Sequence, residues 1–356
     1  MPAPRLRAAL SGLASYQPTD GVYGPERLRP LSANESSHGP LPGIVAAMAA
    51  AGPDINRYPD PGCAKLTGEL ARRLGVGRDQ VLVGAGSVAL LQALVQAVAE
   101  PGAEVVYAWR SFELYPVLAD LAGARSVRVP LAGEAHDLRV MADRVTDATR
   151  LVLICNPNNP TGTVVGGDAL RAFLDRVPPT CLVAIDEAYF EYACERTTLS
   201  GLELRDAYPN LVVLRTFSKA YGLAGLRVGY LVGTADVVTQ LRKACLAYAV
   251  NSIAQHAALA ALSLEGALLR AVNTTIAERV RVRGILLAEG WEVPDGQGNF
   301  LWLRLGEDAA AFGRWCAGAG IAVRAFDGEG VRVSIGTARD NDAFLGAANE
   351  WRARAA

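Results

Sequence analysis

From about residue 42 onward, apolar and polar positions fall into alternating blocks of two kinds. Residues 65–76 (KLTGELARRLGV) carry apolar positions at helical spacing and predict an amphipathic helix. Residues 80–84 (QVLVG) form a short apolar run ending in glycine, which predicts a buried strand. The segment 87–100 (SVALLQALVQAVAE) predicts a helix that opens with Ser87, just past a glycine turn. EVVYA, RSVRVP, RLVLICN, CLVAIDE and LVVLRTFS are further apolar runs of strand length, separated by helical segments. This alternation predicts an α/β domain built on a mainly parallel sheet.

After about residue 250 the pattern changes. SIAQHAALAALS and TIAERVRVRGILLAEG read as helices, NFLWLRL and VRVSIG as strands of a smaller sheet. The expected organisation is a large domain over 42–250 and a smaller α/β domain over 251–356. Residues 1–41 contain Pro18, Pro25, Pro30 and Pro40 among several glycines, and read as an arm joining the small domain. No internal repeat or low-complexity tract is present.

The length, 356 residues, exceeds what one core usually serves and agrees with two domains. With 51% hydrophobic and 20% charged residues the chain can bury a core and is not of disordered composition. A net charge of -1 gives no global field, so neither nucleic acid nor a membrane surface is an expected partner. The six cysteines (Cys63, Cys155, Cys181, Cys194, Cys245, Cys316) form no CxxC pair and have no histidine at zinc-ligand spacing. They read as reduced residues of a cytoplasmic protein, and no metal is expected. The N-terminus is a poor signal peptide, and no uncharged apolar run reaches spanning length. Only Lys65, Lys219 and Lys243 are lysine, so few side chains can form an imine.

Four expected strand ends carry chemistry, and ligands of open α/β sheets bind at strand carboxyl ends. After LVVLR come Thr216, Phe217, Ser218 and Lys219, with Arg227 eight residues further on. The two hydroxyls could face a phosphate, and burial with a neighbouring arginine would lower the lysine's pKa. CLVAI ends in Asp186, with Tyr189 three residues later. Alone, that pair reads as a helix-capping Asp and a packing Tyr. Beside a pyridine ring, Asp186 could hold a protonated ring nitrogen and Tyr189 could reach a ring hydroxyl. RLVLIC runs into a rigid proline-rich turn that presents Asn159. Gly84-Ala85-Gly86-Ser87 offers backbone N–H groups to an anion at a helix start. Tyr58 and Phe112 stand in two further turns, with surface packing as the plain alternative. There is no GxGxxG after the first strand and no GKS or GKT, so dinucleotide and P-loop schemes do not account for these groups.

From about Ser32 to the C-terminus the chain resembles the fold-type-I pyridoxal 5'-phosphate (PLP) aminotransferases, and within them the histidinol-phosphate aminotransferase family. NES…GPLP, RYPD, NPNNPTG, IDEAY and RTFSKAYGLAGLRVGY occur in the family's order and spacing. The resemblance implies that Lys219 is the Schiff-base lysine and the general acid/base. It implies that Asp186 pairs the pyridine nitrogen, that Asn159 and Tyr189 hold the ring hydroxyl, and that Phe112 stacks on the ring. Gly86, Ser87, Val88, Ser218 and Arg227 would bind the phosphate, with Tyr58 reaching the phosphate of the neighbouring subunit in a homodimer. Arg332 would grip the substrate carboxylate, and Arg324 occupies the position of an arginine found in relatives that use histidinol phosphate. Ser87-Val88-Ala89 stands where those relatives usually carry acidic residues, and with WRSFELYP it resembles the aromatic (phenylalanine) aminotransferase subgroup. His38 replaces a Tyr or Phe that lines the side-chain pocket in relatives. The implied function is amino transfer from an aromatic amino acid of the phenylalanine or tyrosine type to a 2-oxo acid. Histidinol-phosphate transamination and PLP-dependent decarboxylation are the alternatives within the family. A PLP-binding regulator or inert scaffold is the alternative outside it, and intact Lys219, Asp186 and Arg332 argue against a scaffold.

Overall fold

A computed structural model describes residues 7, 10, 12, 13, 28–193 and 198–355. Cys194 and most of the arm before residue 28 lie outside the described residues. The strands, in chain order, are β1 Arg29–Pro30, β2 Val81–Gly84, β3 Glu104–Trp109, β4 Arg125–Pro130, β5 Thr149–Cys155, β6 Leu182–Asp186, β7 Leu211–Thr216, β8 Gly229–Val232, β9 Phe300–Arg304, β10 Ile321–Ala322, β11 Arg324–Phe326 and β12 Gly330–Ser334.

Seven of them form one sheet in the order β2-β8-β7-β6-β5-β3-β4. The sheet is mainly parallel, and β8 alone runs against both its neighbours. Both faces are covered. Val105 and Tyr107 of β3 enter one core while Val106 and Ala108 enter the other. Burial on both sides removes the polar alternation of a half-exposed strand and explains the continuous apolar runs. β8, whose four residues are all buried, follows a glycine-rich stretch and is too short to stand out as an apolar run.

A three-stranded antiparallel sheet, β11-β12-β9, carries the second unit. Its core includes Leu301, Leu303, Phe312, Val331 and Val333, and Leu31 from the N-terminal segment packs there too. β1 pairs in parallel with β10 in a separate two-stranded sheet, and the Ser334 N–H of β12 donates to the Leu31 carbonyl at 2.8 Å, so this segment is stitched to the small unit. Packing does not change at residue 250, where the sequence pattern shifts. Helix Ser252–Ser263 puts Ala254, Ala257, Ala258 and Ala261 into the core of the large sheet. The next helix, Glu265–Ala288, gives Leu268 and Val272 to that core and Val282 and Leu286 to the small one. The change of core falls inside this helix. Alanines allow the close approach of Ser252–Ser263 to helix Pro42–Ala51, and Asn251 caps it by accepting from the N–H of Ala254 at 2.8 Å.

Among the described residues no single helix is long and apolar enough to cross a membrane. Cys63, Cys155, Cys181, Cys245 and Cys316 are free thiols.

Candidate active site

Strands β5, β6 and β7 lie side by side and end at one edge, with Cys155 opposite Asp186 and Asp186 opposite Leu214 in the ladders. The chain at or just past each end supplies Asn159, Asp186 and Lys219. β3 points the same way and leads to Phe112. β2, antiparallel to β8, is parallel to β7 and delivers Gly86 and Ser87 to the same edge. A cavity of about 190 Å³ opens there. Ser87, Val88, Phe112, Asn159, Asp186, Tyr189, Thr216, Ser218, Lys219 and Arg227 all line it.

At one end is a cradle suited to an anion. Gly86 precedes helix Ser87–Val98 with φ +82, which an L side chain rarely adopts. A Cβ on Gly86 would also stand 2.6 Å from Arg227 Nη2. The guanidinium thus lies over the backbone where only glycine fits. Arg227 Nη1 donates to Ser218 Oγ at 3.3 Å, and Thr216 Oγ1 accepts from the Ser218 N–H at 3.1 Å. A helix N-terminus, hydroxyls and a guanidinium converge without a carboxylate among these bonds, the donor set a phosphate needs.

Lys219 is at the centre, where its ammonium donates to the Ala33 carbonyl at 3.0 Å. Burial, with Arg332 and Arg227 adding like charge, pulls its pKa down to about 7. Asp186 is buried, and burial pushes its carboxyl up to about 6 although the Tyr115 hydroxyl and the Ala188 N–H each donate to it at 3.2 Å. A carboxyl held near neutrality by burial gains from a cationic partner, and a protonated ring nitrogen would be one. The Tyr189 hydroxyl accepts from Asn34 Nδ2 at 3.0 Å and Asn159 Nδ2 at 3.4 Å, and burial raises it to about 12. Arg332, on β12, donates to Asn159 Oδ1 and to the Ser32 carbonyl, both at 2.6 Å. The groups present fit a phosphate-bearing pyridine aldehyde.

Of the residues expected on the substrate side, His38, Arg324 and Arg332 do not line the cavity, and Arg332 meets it through Asn159. His38 is exposed and does not line the cavity; its N–H donates to Ser36 Oγ at 3.2 Å in a turn that leads to Gly39-Pro40. Arg324 is ion-paired with Glu113 at 2.7 Å rather than open to a ligand. Tyr58 is 83% exposed and stacks on Tyr248 with ring centroids 4.7 Å apart, outside this chain's own cavity. Sequence reasoning also missed three contributors. Asn34 holds Tyr189, Tyr115 holds Asp186, and Cys155 lines the cavity beside Asp186. Tyr115 lies in WRSFELYP, three residues past Phe112, and the spacing was the available signal.

The fold and this edge define a fold-type-I enzyme. The model of the family "Aminotransferase class I and II" matches residues 27–347. The aromatic amino acid aminotransferase of Thermobifida fusca is 56% identical over 352 residues, covering 99% of this chain and 98% of that protein. Its counterpart in Streptomyces coelicolor is 50% identical over 353 residues, covering 98% of each. The crystal structure of histidinol-phosphate aminotransferase from Sinorhizobium meliloti in complex with pyridoxal-5'-phosphate superimposes with a TM-score of 0.91 at 30% identity, covering 100% of this chain and 99% of that one. The chain belongs to the class I and II aminotransferases, PLP enzymes that transfer amino groups.

Proposed function

We propose that this enzyme moves the amino group of an aromatic amino acid, of the phenylalanine or tyrosine type, to a 2-oxo acid. The observation that carries the chemistry is the convergence of Lys219, Asp186 and the Gly86–Arg227 cradle in one buried cavity. The choice of donor is supported by the full-length likeness to aromatic amino acid aminotransferases.

When bound, PLP supplies an aldehyde carbon that condenses with amines and a ring that accepts electron density from the substrate Cα. The Gly86, Ser87 and Val88 end of the helix, with Thr216, Ser218 and Arg227, would hold its phosphate. Asn159 and Tyr189 would hold the ring hydroxyl, and Phe112 would cover the ring. Asp186 would keep the ring nitrogen protonated. Lys219, whose pKa burial pulls down to about 7, would be available as a base near neutral pH. It would take the proton from the substrate Cα and return it at the cofactor's C4′. Arg332 receives the substrate carboxylate through a planar fork already oriented by Asn159 and Ser32.

We further infer a cytoplasmic homodimer in which Tyr58 reaches the partner's cofactor phosphate. The exposed Tyr58–Tyr248 stack outside the chain's own site supports this arrangement, and the free thiols support a reducing compartment. Sedimentation equilibrium returning the single-chain mass of 37.5 kDa would remove the dimer.

Turnover of phenylalanine, tyrosine and histidinol phosphate, each with 2-oxoglutarate at equal concentration, tests the substrate. An aromatic amino acid should lead. A clear preference for histidinol phosphate would overturn the donor and leave the PLP chemistry standing.

A further inference from the structure

β11 and β12 are antiparallel neighbours, and Arg324 stands directly opposite Arg332 in the ladder. Cross-strand partners project to the same face with their Cβ atoms about 5 Å apart. Arg332 reaches Asn159 in the cavity, so Arg324 is the second guanidinium on the face that meets the active site. Both lie 5.9 Å from the Phe326 ring, and Arg110 lies 5.3 Å from it. Left alone, this cluster would draw a substrate carrying an anion on its side chain as well as its α-carboxylate.

The turn after β3 answers that charge. Glu113, next to the cavity-lining Phe112, pairs with Arg324 through Oε2 and Nη2 at 2.7 Å. On the other side of Phe112, Arg110 pairs with Glu329 of the β11–β12 turn, Nε to Oε2 at 2.8 Å. The two pairs have opposite polarity. The large unit gives Arg110 and Glu113, the small one Glu329 and Arg324. Arg324 and Glu113 are 19% and 24% exposed, so screening by water is limited.

We propose that Glu113 is a specificity-determining residue that neutralises Arg324 beside the cavity and so disfavours substrates with an anionic side chain. An incoming phosphate or distal carboxylate must either displace Glu113 from Arg324 or sit beside its negative charge. Both cost binding. An aromatic side chain meets neither penalty and finds the Phe112 ring in the cavity wall. This deepens the aromatic reading above and rests on it for the site, while its own content is the coupling between Glu113 and Arg324.

The test is a double-mutant cycle on the PLP-loaded enzyme with Glu113→Gln, Arg324→Gln and both together. The readouts are kcat/KM for phenylalanine and for histidinol phosphate, and inhibition by inorganic phosphate. Glu113→Gln should lower the phenylalanine-to-histidinol-phosphate ratio at least about tenfold, the scale of one charge-assisted hydrogen bond. It should also make inorganic phosphate a competitive inhibitor against phenylalanine. Both changes should vanish when Arg324 is Gln. Glu113→Asp, which keeps the charge, should keep the discrimination, and it serves if Glu113→Gln does not load cofactor. An unchanged ratio in the loaded Gln variant overturns the proposal. So does an equal change without Arg324, an equal loss on both substrates, or lost discrimination in the loaded Asp variant. A wild-type preference for histidinol phosphate would instead overturn the donor assignment, because the Arg324-dependent change is read separately.

Discussion

Lys219→Ala is expected to lower transamination by at least about 10³-fold, within the range that a general acid–base group contributes, and to abolish the near-visible absorbance of lysine-bound cofactor. The cavity offers no substitute, since Lys65 and Lys243 do not line it. Borohydride reduction of the loaded enzyme should therefore fix the cofactor on Lys219, and a label on Lys65 or Lys243 would remove the whole site assignment. The same amine sets a pH dependence. An ordinary lysine is protonated well past pH 9, whereas Lys219 is drawn down to about 7, chiefly by burial. Only the neutral amine attacks the aldehyde. A rise in pH through 7 removes the proton, so loading of the apoenzyme with PLP should accelerate about tenfold from pH 6 to pH 8 and then level off. Loading that keeps accelerating beyond pH 9 would show an unshifted lysine.

Why these groups were legible in the sequence, and others not, follows from distance along the chain. Asp186, Asn159 and Lys219 each follow an apolar run, and a parallel sheet buried on both faces makes such runs conspicuous while bringing their ends to one edge. The glycine at position 86 is visible for the same reason, because only the backbone conformation before Ser87 requires it. The residues that hold those groups in place come from elsewhere. Asn34 meets Tyr189 across 155 positions, Arg332 meets Asn159 across 173, and Arg324 meets Glu113 across 211. No local period encodes such partners, so Arg324 reads as available when it is paired. Likeness to relatives is the sole pointer to His38, and its turn leaves it exposed. The helix Ser252–Ser263 shows the limit for domains: an alanine-rich apolar face looks the same whichever core it joins, and only packing against Pro42–Ala51 assigns it to the large sheet.

Asp186→Asn should leave PLP bound but lower kcat/KM for every amino donor by about 10²-fold, the scale expected when a buried charge pair loses one member. The amide keeps the shape and can still meet the Tyr115 hydroxyl and the Ala188 N–H, which now hold the carboxylate at 3.2 Å each. Cofactor affinity should therefore suffer little, because the phosphate cradle at Gly86, Ser218 and Arg227 is untouched. What the amide lacks is the negative charge. Burial holds the Asp186 carboxyl near 6, so at neutral pH it is mostly ionised and poised for a cation. A protonated ring nitrogen stabilises that charge, and the charge in turn keeps the ring protonated and able to draw electrons from Cα. The loss should fall on kcat more than on KM, since Arg332 still receives the substrate carboxylate. Tyr115→Phe makes the companion measurement. It removes a donor to Asp186 but no charge, and it should lower turnover by about tenfold or less, the worth of one hydrogen bond to a charged group at the low end. Asp186→Asn turnover within about threefold of wild type, a difference below one such bond, would take the carboxylate out of this role.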